Sequence, residues 1–258
     1  MISEDEVTRN LVPHIARLAG PVRIVIGIGG SRAKGLRDAH SDYDFRLYAD
    51  QFCSAPGDVH DQPEYRHFGD AMQQWEDRGL RIDGTWQRLI GVIDAEVDQW
   101  LAGTAQPTVL DWAVWGYYRP TDLLHQRIIR DPDGVMSGWK LRLAQYPDAL
   151  HDRLLAENIA LLRYRRGYHH YESKVLRGDL VYLSGLSSRL VHAIVQVVFA
   201  LDRTWFPGDG RTLQLVAGLP VQPPDRTALI TAILALPNPA TQRDMLIPLI
   251  DDLIPLTV

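Results

Sequence analysis

The sequence predicts two parts of different class: an α/β (α+β) domain over residues 1–143, then an all-α helical bundle over 144–258. Three observations predict this. Short β-branched runs alternate with helical patterns as far as Arg127–Arg130. A glycine cluster at Gly27, Gly29 and Gly30 links the first of these runs to a helix start. After Tyr146-Pro147 the strand-like runs end and two long helical stretches follow.

The elements read in order as follows. Residues 3–19 predict a helix, because Ser3 with Glu6 three residues on forms a capping-box pattern and Val7, Leu11, Ile15 and Leu18 line one face. A first strand spans 22–27, a short helix 31–37 and a second strand 43–48. Residues 50–70 are rich in Pro, Gly, Asp and His and predict an irregular loop, with a helix over 68–78. Leu80–Trp86 alternates as a strand does. Ile90, Ile93, Val97 and Leu101 then mark a helix over 89–102, and Leu110–Trp115 reads as helical. Arg127–Arg130 is a short strand that ends in the strong turn Asp131-Pro132-Asp133-Gly134. Helices over 148–176 and 180–205 are split at Arg177-Gly178-Asp179, where Asp179 is a candidate N-cap. A loop at 206–210 and a proline-broken helical tail over 225–254 complete the chain.

Composition narrows the function class. With 46% hydrophobic and 23% charged residues the chain has ample material for a core. A net charge of −5 disfavours non-specific nucleic-acid binding, which uses basic faces. Cys53 is the only cysteine, so no intramolecular disulfide forms, as suits a reducing compartment. The acidic start lacks the apolar core of a signal peptide, and no uninterrupted apolar run approaches the ~18 residues of a membrane span. The expectation is a cytoplasmic protein with no membrane partner.

The chemistry is concentrated between Gly27 and Tyr48. Asp42 and Asp44 are two apart, and on a strand i and i+2 share a face. Two carboxylates side by side repel unless a cation joins them, and oxygen-only ligands suit Mg²⁺. The preceding glycines permit a tight turn, and free N–H groups there and at the helix opened by Ser31 attract phosphate. A phosphate cradle beside a carboxylate pair implies phosphoryl or nucleotidyl transfer. No Gly-Lys-Ser/Thr follows the last glycine, which excludes a Walker A loop, and the G-x-G-x-x-G spacing of a Rossmann turn is not met.

Gly30-Ser31-x-x-x-Gly35 followed by Ser41-Asp42-x-Asp44 resembles the signature of the polymerase-β-type nucleotidyltransferases. The matching stretch is short, but its parts are ordered and correctly spaced. The resemblance implies a catalytic domain built on a small mixed sheet, with substrates bound between it and a helical domain, as in antibiotic nucleotidyltransferases. It implies one or two Mg²⁺ held by Asp42, Asp44 and a third carboxylate on a neighbouring strand. Asp83 is the candidate, since it lies in a short alternating run beside the small Gly84; Asp94, Glu96 and Asp98 are rivals on a helix. Gly30 and Ser31 would grip the triphosphate, and Arg32 and Lys34 lie in the same cradle. Arg46 either binds phosphate or offsets carboxylate repulsion.

In the helical part, the polar and aromatic stretch 163–174 offers His169, His170, Glu172 and Lys174 as substrate or phosphate contacts. Arg165 and His170 also fit the R-x4-H spacing that resembles the HEPN ribonuclease motif. His192 reads as a core histidine, and the tryptophans as packing residues, with Trp86 and Trp115 able to stack on a base or sugar. The resulting expectation is Mg²⁺-dependent transfer of a nucleoside monophosphate, AMP from ATP, to a hydroxyl of a small antibiotic-like acceptor. The alternatives are nucleotidylation of tRNA or protein in a toxin–antitoxin or stress system, and a nucleotide sensor without catalysis. The strand that ends Arg81-Ile82-Asp83-Gly84-x-Trp86-Gln87 departs from the known resistance enzymes, which bears on the acceptor and not on the metal.

Overall fold

A computed structural model describes residues 3–38, 41–53, 63–105, 119–208, 212–220 and 226–257. The helix expected at Leu110–Trp115, with Trp112 and Trp115, lies outside the described residues, as do positions 54–62 of the expected loop. The chain divides into two compact units. The first is Met1–Gln99 with Asp122–Gln145, and the second is Trp100–Thr121 with Tyr146–Val258. The units differ from a single cut at 143/144 by the segment Trp100–Thr121 and by Ala144 and Gln145, which stay with the first unit. The described ends of the segment explain its place: Trp100 and Ala105 are buried among the helices of the second unit.

The first unit is α+β. Its mixed four-stranded sheet has the order β3-β2-β1-β4. The strands are β1 (Ile24–Ile28), β2 (Tyr43–Ala49), β3 (Ile82–Leu89) and β4 (Arg127–Arg130). β1 runs antiparallel to both β2 and β4, while β2 and β3 are parallel. Strand alternation gives the sheet two different faces. Ile24, Ile26, Ile28, Phe45 and Leu47 form an apolar core with α1 (Glu4–Arg17) and α3 (Pro63–Glu76). That core includes Val7, Leu11 and Ile15 of α1 and Phe68 and Trp75 of α3. Trp75 donates its indole N–H to Asn10 Oδ1 at 2.8 Å, so the buried ring keeps its polar edge satisfied. The opposite face of β2 carries Asp44, Arg46 and Tyr48, and there Tyr48 meets Trp139 edge-on at 5.1 Å. Trp139 lies on α6 (Val135–Leu143), a helix absent from the sequence reading.

Local signals explain most boundaries. Ser3 Oγ accepts the Glu6 N–H, as the capping pattern requires. The helix after the glycine turn is a single turn, α2 (Gly30–Ala33), shorter than the expected 31–37. α3 begins at Pro63, inside the expected loop. α4 (Ile90–Leu101) and α5 (Arg119–His125) complete the helices of this region, and each runs across a unit boundary.

The second unit is all helical. The expected single helix over 148–176 is two, α7 (Asp148–Arg166) and α8 (His169–Arg177), because the chain turns extended at Tyr168 after Gly167. The turn lets α8 bury Tyr171, which is 1% exposed. Gly178, at φ +66°, ends α8, and Asp179 caps α9 (Leu180–Leu201) through the Tyr182 N–H. α9 is long and apolar enough by composition to cross a membrane, but most of it is buried at the centre of this helical core. α10 (Thr212–Ala217), α11 (Arg226–Ala235) and α12 (Pro239–Leu253) pack around it.

Candidate active site

The site forms where β1 ends. Ile28 leads into Gly29, whose N–H donates to the Asp44 carbonyl at 2.9 Å and ties the turn to β2. Gly30 then takes φ +65°, a conformation that favours glycine. A Cβ at this position would lie 1.8 Å from Asp44 Oδ2. The turn and the carboxylate therefore share one small space. A four-residue helix leaves its first N–H groups without intrahelical acceptors, and in α2 these belong to Gly30, Ser31 and Arg32.

Asp42, Asp44 and Asp83 converge. A carboxylate oxygen from each lies within 4.8 Å of the other two; Asp42 and Asp44 are half-buried and Asp83 is exposed. Asp83 reaches the pair through an irregularity in β3. Tyr43 pairs with Ile82 but Phe45 pairs with Thr85, so Asp44 faces two residues, Asp83 and Gly84. Such a bulge re-aims a side chain. Gly84 absorbs it at φ +73°. Among the described residues Asp83 forms no ion pair. The rivals on α4 are engaged elsewhere: Trp139 Nε1 donates to Asp94 at 2.6 Å, and Arg142 pairs with Asp98.

Electrostatics mark Asp44. Burial above all, opposed by Arg46 and helped by the charges of Asp42, Asp83 and Asp122, pushes its carboxyl up to about 6. Three clustered carboxylates with hard oxygen donors and one ligand of raised proton affinity fit a small divalent cation such as Mg²⁺.

Arg32 holds the loop that presents Asp42. Its guanidinium donates to the Asp42 carbonyl at 2.5 Å and the Ser41 carbonyl at 2.8 Å, and it lies 3.8 Å over the Tyr43 ring. Ser31 Oγ bonds Ser41 Oγ at 2.9 Å. Lys34 caps α2, donating its N–H to the Gly30 carbonyl. A shallow open depression lined by Asp42, Glu76, Leu80, Arg81, Ile82 and Asp83 adjoins the carboxylates. Arg46 is 4% exposed and buried behind the site, so it acts as a counter-charge to the acids.

Lys174 and the polar stretch belong to the second unit. Lys174 pairs with Asp179 at 2.7 Å and lies 5.2 Å over Tyr182. His169 and His170 lie with ring centroids 4.2 Å apart and tilted to each other, beside Tyr168. Arg165 and His170 fall on different helices, α7 and α8, and Arg165 donates to Tyr182 Oη at 3.2 Å.

Comparison with known proteins adds little to this geometry. A family described as a domain of unknown function, DUF4037, matches residues 121–210. The match includes Asp122 and Lys174 but none of Asp42, Asp44 and Asp83. No curated protein matches the chain. The chain is similar to a nucleotidyltransferase-like protein of solved structure from Exiguobacterium sibiricum 255-15, at 12% identity and a TM-score of 0.49, over 98% of this chain and 75% of that one. A likeness at that level assigns no activity.

The residues that sequence reasoning missed are Asp122, Gln126 and Tyr48. Asp122 Oδ2 accepts from Arg46 Nε at 3.1 Å and from Gln126 Nε2 at 2.7 Å, and Gln126 Nε2 also donates to Tyr48 Oη at 2.8 Å. Asp122 and Gln126 sit four apart on and just after a short helix, a spacing indistinguishable from a solvated face.

Proposed function

We propose that the protein is a divalent-metal-dependent nucleotidyltransferase. One observation carries the reading: Asp42, Asp44 and Asp83 converge beside the glycine turn at Gly29–Ser31. Carboxylates alone suit many metal sites. Carboxylates packed against a turn with first-turn N–H groups suit a metal-bound triphosphate.

The three aspartates would hold one or two Mg²⁺, which when bound neutralises the leaving pyrophosphate and lowers the pKa of an attacking hydroxyl. The chain does the rest. The N–H groups of Gly30 and Ser31, with the Ser31 hydroxyl, hold the β- and γ-phosphates. Arg32 keeps Asp42 in place, and Lys34 adds positive charge to the cradle. The acceptor hydroxyl loses its proton to solvent as its oxygen bonds to the α-phosphorus, the bond from that phosphorus to the α–β bridging oxygen breaks, and pyrophosphate leaves with the nucleoside monophosphate transferred. Little covalent work falls to the protein, so positioning and electrostatics supply the rate. We assign ATP as the donor and a small hydroxylated, antibiotic-like molecule as the acceptor.

The test is incubation with α-³²P-labelled ATP, GTP, CTP or UTP, with and without Mg²⁺. The acceptor pools are aminoglycosides and lincosamides, total tRNA, and cell lysate. Mg²⁺-dependent label transfer that disappears in Asp42→Asn/Asp44→Asn is the expected result. Absence of nucleotide binding would refute the reading of the turn and the triad.

A further inference from the structure

Behind the triad lies a buried ion pair whose arrangement bears directly on Asp44. Arg46 and Asp122 are 4% and 5% exposed. Among the described residues, Arg46 pairs with two carboxylates. Its Nε donates to Asp122 Oδ2 at 3.1 Å, while its Nη1 stays 3.7 Å from Asp44 Oδ1, beyond hydrogen-bonding distance. The guanidinium is boxed in elsewhere, with the Trp86 ring 4.8 Å from its Cζ and the Phe45 carbonyl 3.4 Å from Nη1. Asp122 is itself held by Gln126, which Tyr48 holds in turn. Its other oxygen, Oδ1, has no hydrogen-bond partner and lies 2.9 Å from where a side chain on Gly29 would begin.

A buried ion pair is weak evidence of stabilisation, because the desolvation of both charges offsets their attraction. Its geometry suggests a different purpose. Arginine and carboxylate form strong bidentate pairs when nothing prevents it. An Arg46 bonded to both oxygens of Asp44 would occupy two of the carboxylate's roughly four lone-pair sites and set a positive charge against the metal ion.

We propose that Asp122 is a positioning residue that draws Arg46 off Asp44, leaving the Asp44 carboxylate neutralised at a distance but open to a divalent cation. The proposal rests on the metal-centre reading above and adds a residue that touches neither metal nor substrate. Among the described residues, Asp44 is the other carboxylate paired with Arg46, and without the Asp122 charge Arg46 moves onto it. Removal of Arg46 as well then restores access to Asp44. That rescue separates positioning from a purely structural role, since loss of packing is not repaired by a second deletion.

The experiment is Mn²⁺ titration of the full chain by electron paramagnetic resonance, with circular dichroism to verify folding. Asp122→Asn is nearly isosteric and keeps an acceptor for Gln126. It is expected to bind Mn²⁺ at least about tenfold more weakly than wild type, the scale typical of outer-shell partners. Arg46→Met/Asp122→Asn, which buries no charge at either position, is expected to return to within about threefold of wild type. Wild-type affinity in Asp122→Asn overturns the proposal, as does a folded double variant that binds as weakly as the single. If Asp122→Asn does not fold, the double variant decides: near-wild-type binding supports the proposal and lost binding refutes it. If the wild type itself binds no Mn²⁺, the metal-centre reading fails and this inference falls with it. If wild type binds and the variants behave otherwise, this inference alone falls.

Discussion

The Asp44 carboxylate fills the space in which a side chain on residue 30 would stand. A Cβ on Gly30 would lie 1.8 Å from Asp44 Oδ2, and the backbone there is at φ +65°. The turn from β1 and the acid on β2 are thus one unit: neither can be rebuilt without the other. Gly30→Ala should cost about 1–3 kcal/mol for the left-handed backbone alone. It should also displace Asp44, with label transfer lost by at least about a hundredfold. Urea denaturation and the transfer assay check the two effects separately.

Asp83 and Asp94 are both plausible third carboxylates in the sequence, but the structure brings only Asp83 to the pair. Metal stabilisation of a transferring phosphoryl group is worth several kcal/mol, so Asp83→Asn should lower turnover at least about a hundredfold. Asp94→Asn should leave Mn²⁺ binding within about twofold and instead weaken the fold by about 1 kcal/mol, through the Trp139 hydrogen bond. Metal titration together with thermal melting distinguishes the two.

The raised proton affinity of Asp44 predicts that Asp44→Asn gains stability over wild type as pH rises, and that Mg²⁺ reverses the order. Between the ordinary carboxylate range and about 6, the folded chain holds a proton that the unfolded chain has released. The stability contributed by this group is therefore present at low pH and lost as pH rises through 6. In EDTA, Asp44→Asn should melt close to wild type at pH 4.5 and above it at pH 7.5. With saturating Mg²⁺ at pH 7.5 the order should reverse, because only wild type gains from the ion. Differential scanning calorimetry at the two pH values, with and without Mg²⁺, reads this directly.

Gly84 carries the bulge that aims Asp83. No atom lies within 4 Å of where its Cβ would stand, so a substitution there is strained only through φ +73°. Gly84→Val should cost about 1–3 kcal/mol and weaken Mn²⁺ binding by moving Asp83, whereas Gly35→Ala, also in open space but outside the strand pairing, should affect stability alone. Paired denaturation and metal titrations of the two variants test the distinction.

Much of the fold was legible because it rests on local signals. The capping box at Ser3 and Glu6, the stripe of Ile90, Ile93 and Val97, and the cap at Asp179 each act within one or two helical turns. Other features were not legible because their pattern is blurred or because they depend on partners far along the chain. α6 buries Met136, Trp139 and Leu143 at i, i+3 and i+7, but Val135 and the exposed Leu141 fall off that face and blur the pattern in so short a helix. The break at Gly167–Tyr168 reflects the burial of Tyr171, which no local pattern announces. Arg46 and Asp122 are 76 residues apart, and nothing in either neighbourhood points to the other.

By itself, then, the sequence determined that Asp42 and Asp44 flank a strand start, that a glycine turn precedes them, and that helices follow a sheet. Period-two alternation and the conformational freedom of glycine act over a few residues, so they can be read one-dimensionally. Only the tertiary structure decided which third acid joins the pair and what stands behind Asp44. Strict alternation would place Asp83 and Trp86 on opposite faces of β3. The extra residue at the bulge lets Asp83 face Asp44 while Trp86 pairs with Arg46, and that offset exists only once β3 has docked in register against β2.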